Sequence, residues 1–115
     1  MVTKKATKKP VAAPATRQAF ENIMPRFGEL TRDVLFGDVW ERPGLSQRDR
    51  SLITIAALTV LYRTDQLRGH IGRGLRNGLT KVEIAELIQH MAFYGGWPVA
   101  VNAFNVARDV FAENK

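Results

Sequence analysis

The sequence contains no cysteine among its 115 residues. Disulfide bonds, thiol redox chemistry and zinc sites built on cysteine are therefore excluded. The sequence has no apolar run of the ~18 residues that a membrane-spanning helix needs. Its N-terminus carries lysines but not the apolar segment of a secretory signal, so the cytoplasm is the expected compartment.

Several catalytic motifs are missing as well. The sequence has no glycine-rich phosphate loop followed by Lys-Ser/Thr, no GxSxG nucleophile elbow, no HExxH pair and no zinc-ligand spacing. Any catalysis must therefore depend on histidine, arginine, glutamate and tyrosine side chains.

The positive charge is concentrated at the N-terminus. The net charge is +6, and removing the four charges of Lys4, Lys5, Lys8 and Lys9 leaves only +2. A segment of Lys, Ala, Pro and Thr cannot bury enough apolar surface to offset the entropy of ordering it. We predict a disordered basic tail over residues 1–15 and a single domain over residues 16–115. The tail is interpreted as a solubilising segment, with phosphate contact to nucleic acid as the less favoured alternative.

The rest of the sequence predicts an all-α fold of five to six helices. Hydrophobic residues make up 45% of the chain and recur at helical spacing, between glycine and asparagine turns and without strand alternation. A loop over 36–45 carries Trp40. The predicted helices cover residues 16–24, 26–36, 46–62, 64–76, 80–94 and 98–112.

Three local signals fix helix ends. Thr80 with Glu83 three residues later is a capping box, and Thr64 is expected to cap the helix that follows it. Asn77-Gly78 is expected to end that helix.

Two helices have more apolar surface than one contact requires. Residues 51–62 are apolar on nearly every side, and the last helix has two adjacent apolar faces. A domain this small can cover only part of that surface, so a partner subunit is expected.

His70 is one of only two histidines. It borders the apolar stripe formed by Leu67 and Ile71. One interpretation is a half-buried histidine bonded to a backbone carbonyl, and the other is a general acid or electrophile in a pocket between helices.

A polar strip runs along the predicted helix over residues 80–94. Glu83, Glu86, His90 and Tyr94 are spaced 3, 4 and 4 residues apart, so they share one side of the helix. The capping box accounts for Glu83, but not for Glu86. Glu86 and His90 are too few to hold a metal ion by themselves, so a solvated face with a helical ion pair remains the simpler alternative.

Three arginines are candidates for binding an anion. Arg48 and Arg50 lie in the first turn of their helix, where arginine opposes the helix dipole. A bound carboxylate would explain them, and so would a salt bridge to Asp49 or another nearby acid. Arg63 lies seven residues before His70 and can face the same pocket.

Several of these motifs together resemble the carboxymuconolactone decarboxylase family. The resemblance covers about residues 37–112. It rests on Trp40 before Arg42-Pro43-Gly44-Leu45, on Arg50-Ser51-Leu52, on Arg63 seven residues before His70, on Asn77-Gly78, on Glu83 with Glu86, and on Tyr94-x-Gly96-x-Pro98.

The resemblance implies a helical fold of the alkyl hydroperoxidase D type, assembled as homotrimers or homohexamers. The hydroperoxidase branch uses a Cys-x-x-Cys pair, and Arg63 and Gln66 occupy those positions here, so peroxidase activity is not expected. The remaining resemblance is to the decarboxylase branch, which needs no cofactor. The implied substrate is a small carboxylated lactone from aromatic compound breakdown.

The site hypothesis follows from that resemblance. Arg50 and Arg63 would hold substrate carboxylates, with Arg48 and Trp40 also binding substrate. His70 would polarise the lactone carbonyl or donate the proton. Glu86 would orient His70 or relay the proton, and Tyr94 would line the pocket; no metal is expected. The alternative is a non-catalytic oligomeric module of the same family.

Overall fold

The computed structural model describes residues 14–114, and every regular element in that range is helical. The all-α prediction is therefore confirmed, with six α-helices. The predicted tail falls outside the described residues except for its last two positions, which begin the first helix. The helices are α1 (Pro14–Ile23), α2 (Pro25–Glu29), α3 (Gln47–Val60), α4 (Thr64–Arg76), α5 (Lys81–Gly95) and α6 (Trp97–Glu113).

The described chain forms two compact units, one ending at Gln47 and one beginning at Arg48. In the first unit α1 packs on α2, with the rings of Phe20 and Phe27 edge to face at 4.9 Å. Gly28 permits this approach, because a Cβ there would lie 3.1 Å from Cγ of Glu21.

The predicted helix over 26–36 is not uniformly α-helical. After α2 the chain continues as a π-helix over Leu30–Phe36. Here the carbonyls bond one residue further along than in an α-helix, an arrangement that is rare at this length. Apolar spacing does not distinguish the two windings, so a π-helix could not be predicted from the residue pattern.

Trp40 is buried in a 3₁₀ turn, Val39–Glu41, inside the predicted loop. Its ring lies 5.9 Å from that of Phe36, and its backbone carbonyl accepts a 2.6 Å hydrogen bond from the Gln47 side chain. The ring contact and the hydrogen bond to the Trp40 carbonyl together hold this segment in place within the first unit.

The second unit contains the hydrophobic core. Its buried side chains come from all four of its helices and from the α4–α5 turn. The predicted stripe of Leu67 and Ile71 on α4 is part of it. The fully or nearly fully buried members are Ile55, Leu67, Ile71, Leu79, Ile84, Ile88, Ala103, Val106, Ala107 and Val110.

Helices α3 and α5 lie side by side with their N-termini together. Near the start, the Arg48 guanidinium bonds to the Glu83 carboxylate. Near the end, a Cβ on Gly95 would lie 2.6 Å from Cγ1 of Val60. Glycine is needed there because the β-branched Val60 side chain has little freedom to move aside.

Two of the three predicted helix ends are confirmed. The Thr80 hydroxyl accepts from the Glu83 N–H at 3.0 Å and the Glu83 carboxylate accepts from the Thr80 N–H at 2.9 Å. Asn77 closes α4, and Gly78 follows with φ +107°. The Thr64 prediction is wrong: Arg63 occupies the cap position, and no side chain caps that helix.

An exposed aromatic strip runs from Phe93 in the last turn of α5 onto α6. Phe93 contacts Trp97 edge to face at 5.7 Å, and both side chains lie largely in solvent. Val101 and Phe104 continue the strip at helical spacing, with the Arg108 guanidinium 5.4 Å from the Phe104 ring centre. Within residues 14–114, no helix is both long and apolar enough to span a bilayer.

Candidate functional site

A groove lies between α3 and α5 in the second unit. Its volume is about 540 Å³, within the roughly 300–1,000 Å³ of small-molecule sites, although it is open on one side. Arg48, Glu83, Glu86 and His90 supply its polar groups. Its apolar walls are Leu52, Ile53 and Ala56 from α3 and Val82, Leu87 and Met91 from α5.

The spacing of the lining residues explains why this groove forms. On α5 they form two adjacent rows with a spacing of four residues, which places them on one side of that helix: Val82, Glu86 and His90, and Glu83, Leu87 and Met91. Arg48, Leu52 and Ala56 form one such row on α3. The polar strip predicted on α5 therefore faces α3 at Glu83, Glu86 and His90.

Arg48 is held by two carboxylates at the N-terminal end of the groove. It bonds to Glu83 of α5, and its Nη1 lies 3.3 Å from Oδ1 of Asp49. The salt bridge to Asp49 is the alternative that the sequence left open beside anion binding. The hydrogen bond from the Thr80 backbone, more than the Arg48 charge, lowers the pKa of the Glu83 carboxyl, which therefore stays ionised.

Glu86, His90 and Tyr94 continue along α5 at intervals of one turn. Glu86 and His90 line the groove, and the rings of His90 and Tyr94 lie 5.1 Å apart. All three side chains are exposed. Among the described residues no three histidine, aspartate or glutamate side chains are grouped so that they could hold a metal ion.

His70 lies elsewhere, on α4, and is not part of the groove lining. Its neighbours Leu67 and Ile71 are fully buried, and the ring itself is half-buried. Burial, together with the smaller effect of the nearby positive charge of Arg73, lowers the pKa of the His70 imidazole to about 4. At neutral pH the ring is therefore uncharged and can donate one hydrogen bond, but it carries no extra proton.

The other predicted binding residues are distributed over both units. Arg50 is half-buried in the first turn of α3, and Trp40 belongs to the first unit. Arg63 is exposed in the α3–α4 turn, where its N–H donates to the Leu58 carbonyl at 3.0 Å. Of the seven predicted site residues, Arg48 and Glu86 line the groove.

His90 and the apolar groove walls were not among the site residues predicted from the sequence. A signal for His90 was present, because it shares the α5 strip with Glu86. The walls had no such signal, since apolar residues at helical spacing predict core more often than a ligand groove.

The fold and the groove define a class: an all-helical protein with an amphipathic cavity of small-molecule size. A profile of the carboxymuconolactone decarboxylase family matches residues 25–109, and the chain belongs to that family. The resemblance identified from the sequence motifs is thereby confirmed.

Three curated relatives are similar over most of this chain. It is 43% identical over 96 residues to a 4-carboxymuconolactone decarboxylase of Acinetobacter baylyi, covering 84% of this chain and 66% of that protein. An uncharacterised 15.0 kDa protein of Paracoccus denitrificans is 37% identical over 98 residues, covering 84% of this chain and 73% of its own length. The nitrosuccinic acid decarboxylase npaB of Metarhizium robertsii is 35% identical over 80 residues, covering 70% of this chain and 56% of its own length.

Proposed function

We propose that the protein is a cofactor-independent decarboxylase that acts on a small carboxylated lactone or a related anionic substrate. The observation that carries this proposal is the 43% identity to a protein named 4-carboxymuconolactone decarboxylase over 84% of this chain. A second relative also carries the name of a decarboxylase, for nitrosuccinic acid. Because this chain spans 66% of the first relative's length, the activity is a proposal for this chain.

The chemistry of such a substrate suits a site made of ordinary side chains. When 4-carboxymuconolactone loses carbon dioxide, the electron pair passes through the ring double bond into the lactone carbonyl. The ring is its own electron sink. The protein must therefore stabilise an oxyanion and deliver a proton to carbon.

The residues assigned from the sequence keep their roles within this proposal. Arg50 and Arg63 hold carboxylates as bidentate forks, with Arg48 and Trp40 assisting in substrate binding. Between the two roles considered for His70, its low pKa supports polarisation of the lactone carbonyl as a neutral hydrogen-bond donor. Glu86 and Tyr94 complete the catalytic set.

The direct test is turnover by the purified full chain. We expect carbon dioxide release and a change in ultraviolet absorbance with 4-carboxymuconolactone, and nitrosuccinate should be tested in parallel. Carbon dioxide release from neither compound would contradict the decarboxylase proposal and favour the non-catalytic alternative.

An Arg63→Lys variant tests the carboxylate clamp. Lysine keeps the charge but loses the fork, so KM should rise about tenfold, given ~1.5–3 kcal/mol for a hydrogen bond to a charged group. Arg63 is exposed, so the fold should survive the change. An unchanged KM would remove Arg63 from substrate binding.

We also propose that the chain self-associates through the aromatic strip. The exposed fractions of Phe93, Trp97 and Phe104 are 77%, 64% and 53%, unusual values for neighbouring aromatic side chains on one surface. A second copy of the chain is the occupant that suits the trimer or hexamer expected from the sequence.

Light scattering during size-exclusion chromatography tests this assembly. Phe104→Glu should reduce the molar mass toward that of a monomer, because the charge would have to be buried in the interface. Asn105→Glu is the matched control, since Asn105 is the exposed neighbour on the same helix. A monomeric wild-type protein, or the same mass for both variants and wild type, contradicts the proposal.

A further inference from the structure

The groove gives a role to a residue outside the predicted site. We propose that His90 delivers the proton to carbon from the groove between α3 and α5, which Glu86 also lines. This inference rests on the proposed decarboxylation alone. It places the substrate in the groove, instead of beside His70, Arg50 and Arg63, which do not line it.

The position of His90 provides the first argument. Its imidazole lines the groove and is exposed, so a bound molecule can reach it. Glu86 lies one helical turn before it and Tyr94 one turn after, with the Tyr94 ring 5.1 Å away. The imidazole therefore contacts an aromatic ring on one side and has a carboxylate residue one helical turn away on the other.

The second argument is that the other histidine is poorly suited to this step. His70 is not among the groove-lining residues and lies between buried side chains of α4. Its ring is neutral at neutral pH, because burial lowers its pKa to about 4. A neutral imidazole can polarise a carbonyl, but it is a weak proton donor to carbon.

The third argument concerns charge inside the groove. Arg48 and Glu83 are ion-paired, so their charges largely compensate each other. The Glu86 carboxylate would repel an anionic substrate if it faced the substrate alone. The His90 imidazole, one helical turn away on the same side of α5, places a hydrogen-bond donor beside that carboxylate.

The apolar walls provide the fourth argument. Leu52, Leu87 and Met91 place hydrocarbon surface beside the polar groups of Glu86 and His90. A small lactone has the same mixed character, with an apolar ring edge and charged substituents.

The step balances without any oxidant or reductant. The bond from the ring carbon to the carboxylate breaks and carbon dioxide leaves. The electron pair moves through the ring double bond to the carbonyl oxygen of the lactone. The pair then returns to carbon and takes the proton from the His90 imidazolium. The neutral imidazole regains a proton from water, and the substrate is neither oxidised nor reduced.

The main experiment compares His90→Gln with wild type using 4-carboxymuconolactone. Loss of the acid should lower kcat by about 10²–10⁴-fold with little change in KM. Gln89→Ala is the matched control, since Gln89 is the exposed α5 neighbour and bonds to the Ala85 carbonyl rather than lining the groove. Glutamine forms helix well and His90 is exposed, so the variant should fold.

A second measurement follows the histidine ring signals by NMR while muconolactone, a lactone acid without the leaving carboxylate, is added. The His90 ring signals should shift, and those of His70 should move less. If only the His70 signals move, the proposed binding position is overturned even where the protein decarboxylates its substrate.

The outcomes separate the two proposals. Full turnover by His90→Gln overturns the role of His90 and leaves the decarboxylase function standing. A wild-type protein that releases no carbon dioxide overturns both the function and the proton step. A loss of rate in His90→Gln but not in Gln89→Ala supports both.

Discussion

Helices α4 and α5 each carry one of the chain's two histidines, and their surroundings differ. Successive residues of a helix are offset by about 100°, so His70 is close to the stripe formed by Leu67 and Ile71. His90 lies two positions after buried Ile88, about 200° away, on the opposite side from the core. His70 on α4 is therefore half-buried beside the core, whereas His90 on α5 is open to a ligand.

The difference determines which chemistry each ring can perform. On α4, burial keeps the imidazole neutral and fixes it among aliphatic side chains. On α5, the imidazole faces a groove with an acidic residue one turn away. The side of the helix on which a histidine lies therefore indicates its possible chemistry as much as its presence does.

The largest predicted stability effect tests the packing around His70. Ile71 is fully buried, so Ile71→Ala should lower the free energy of unfolding by about 2–5 kcal/mol through lost burial and a cavity. Ile53→Ala makes the same change in the groove wall, where the side chain is 54% exposed, and should cost far less. Denaturant unfolding measures both, and equal losses would show that α4 is no better packed than the groove.

The next effect is the acid sensitivity that His70 introduces. Its pKa falls from 6.5 in the unfolded chain to about 4 in the fold, so unfolding takes up a proton between those values. The free energy of unfolding should therefore decrease as the pH is lowered through this window, by on the order of 2 kcal/mol for a ring that keeps some solvent contact. Above pH 6.5 this contribution is fully present.

His70→Gln removes the titrating group and should flatten that part of the profile. The measurement is the free energy of unfolding at several pH values between 7 and about 4. Glu83 gives an acid dependence of the same sign, but at lower pH, because its lowered carboxyl pKa acts below 4.5. Parallel curves for His70→Gln and wild type would mean that the ring is not buried as described.

Local features of this fold were predictable, whereas contacts between distant residues were not. The Thr80–Glu83 box and the Leu67 and Ile71 stripe depend on residues three or four apart, and both were identified. The Arg48–Glu83 pair joins residues 35 positions apart, so the sequence could suggest a partner for Arg48 only among nearby acids. The groove depends on that pair and on the close approach at Gly95.

The π-helix shows a different kind of limit. Leu30–Phe36 has the apolar spacing of an α-helix, and no residue type in it marks the wider winding. The Thr64 prediction failed for a related reason: a good capping residue was present, but the helix begins at Thr64 itself, one residue after the cap position. Pattern rules identify the element reliably, but not the register of its first turn.

The smallest predicted effect tests the N-terminal end of the groove. Thr80→Ala removes the hydroxyl that accepts from the Glu83 N–H, and loss of such a cap costs about 0.5–2 kcal/mol. Thr80→Ser keeps an equivalent hydroxyl and should be close to wild type, which separates the hydrogen bond from other effects of the change.

Because Glu83 also bonds to Arg48, a frayed first turn of α5 should loosen that end of the groove. Amide exchange at residues 81–84 should therefore accelerate in Thr80→Ala but not in Thr80→Ser; equal exchange in both would show that the tie to Arg48 is sufficient to hold the turn.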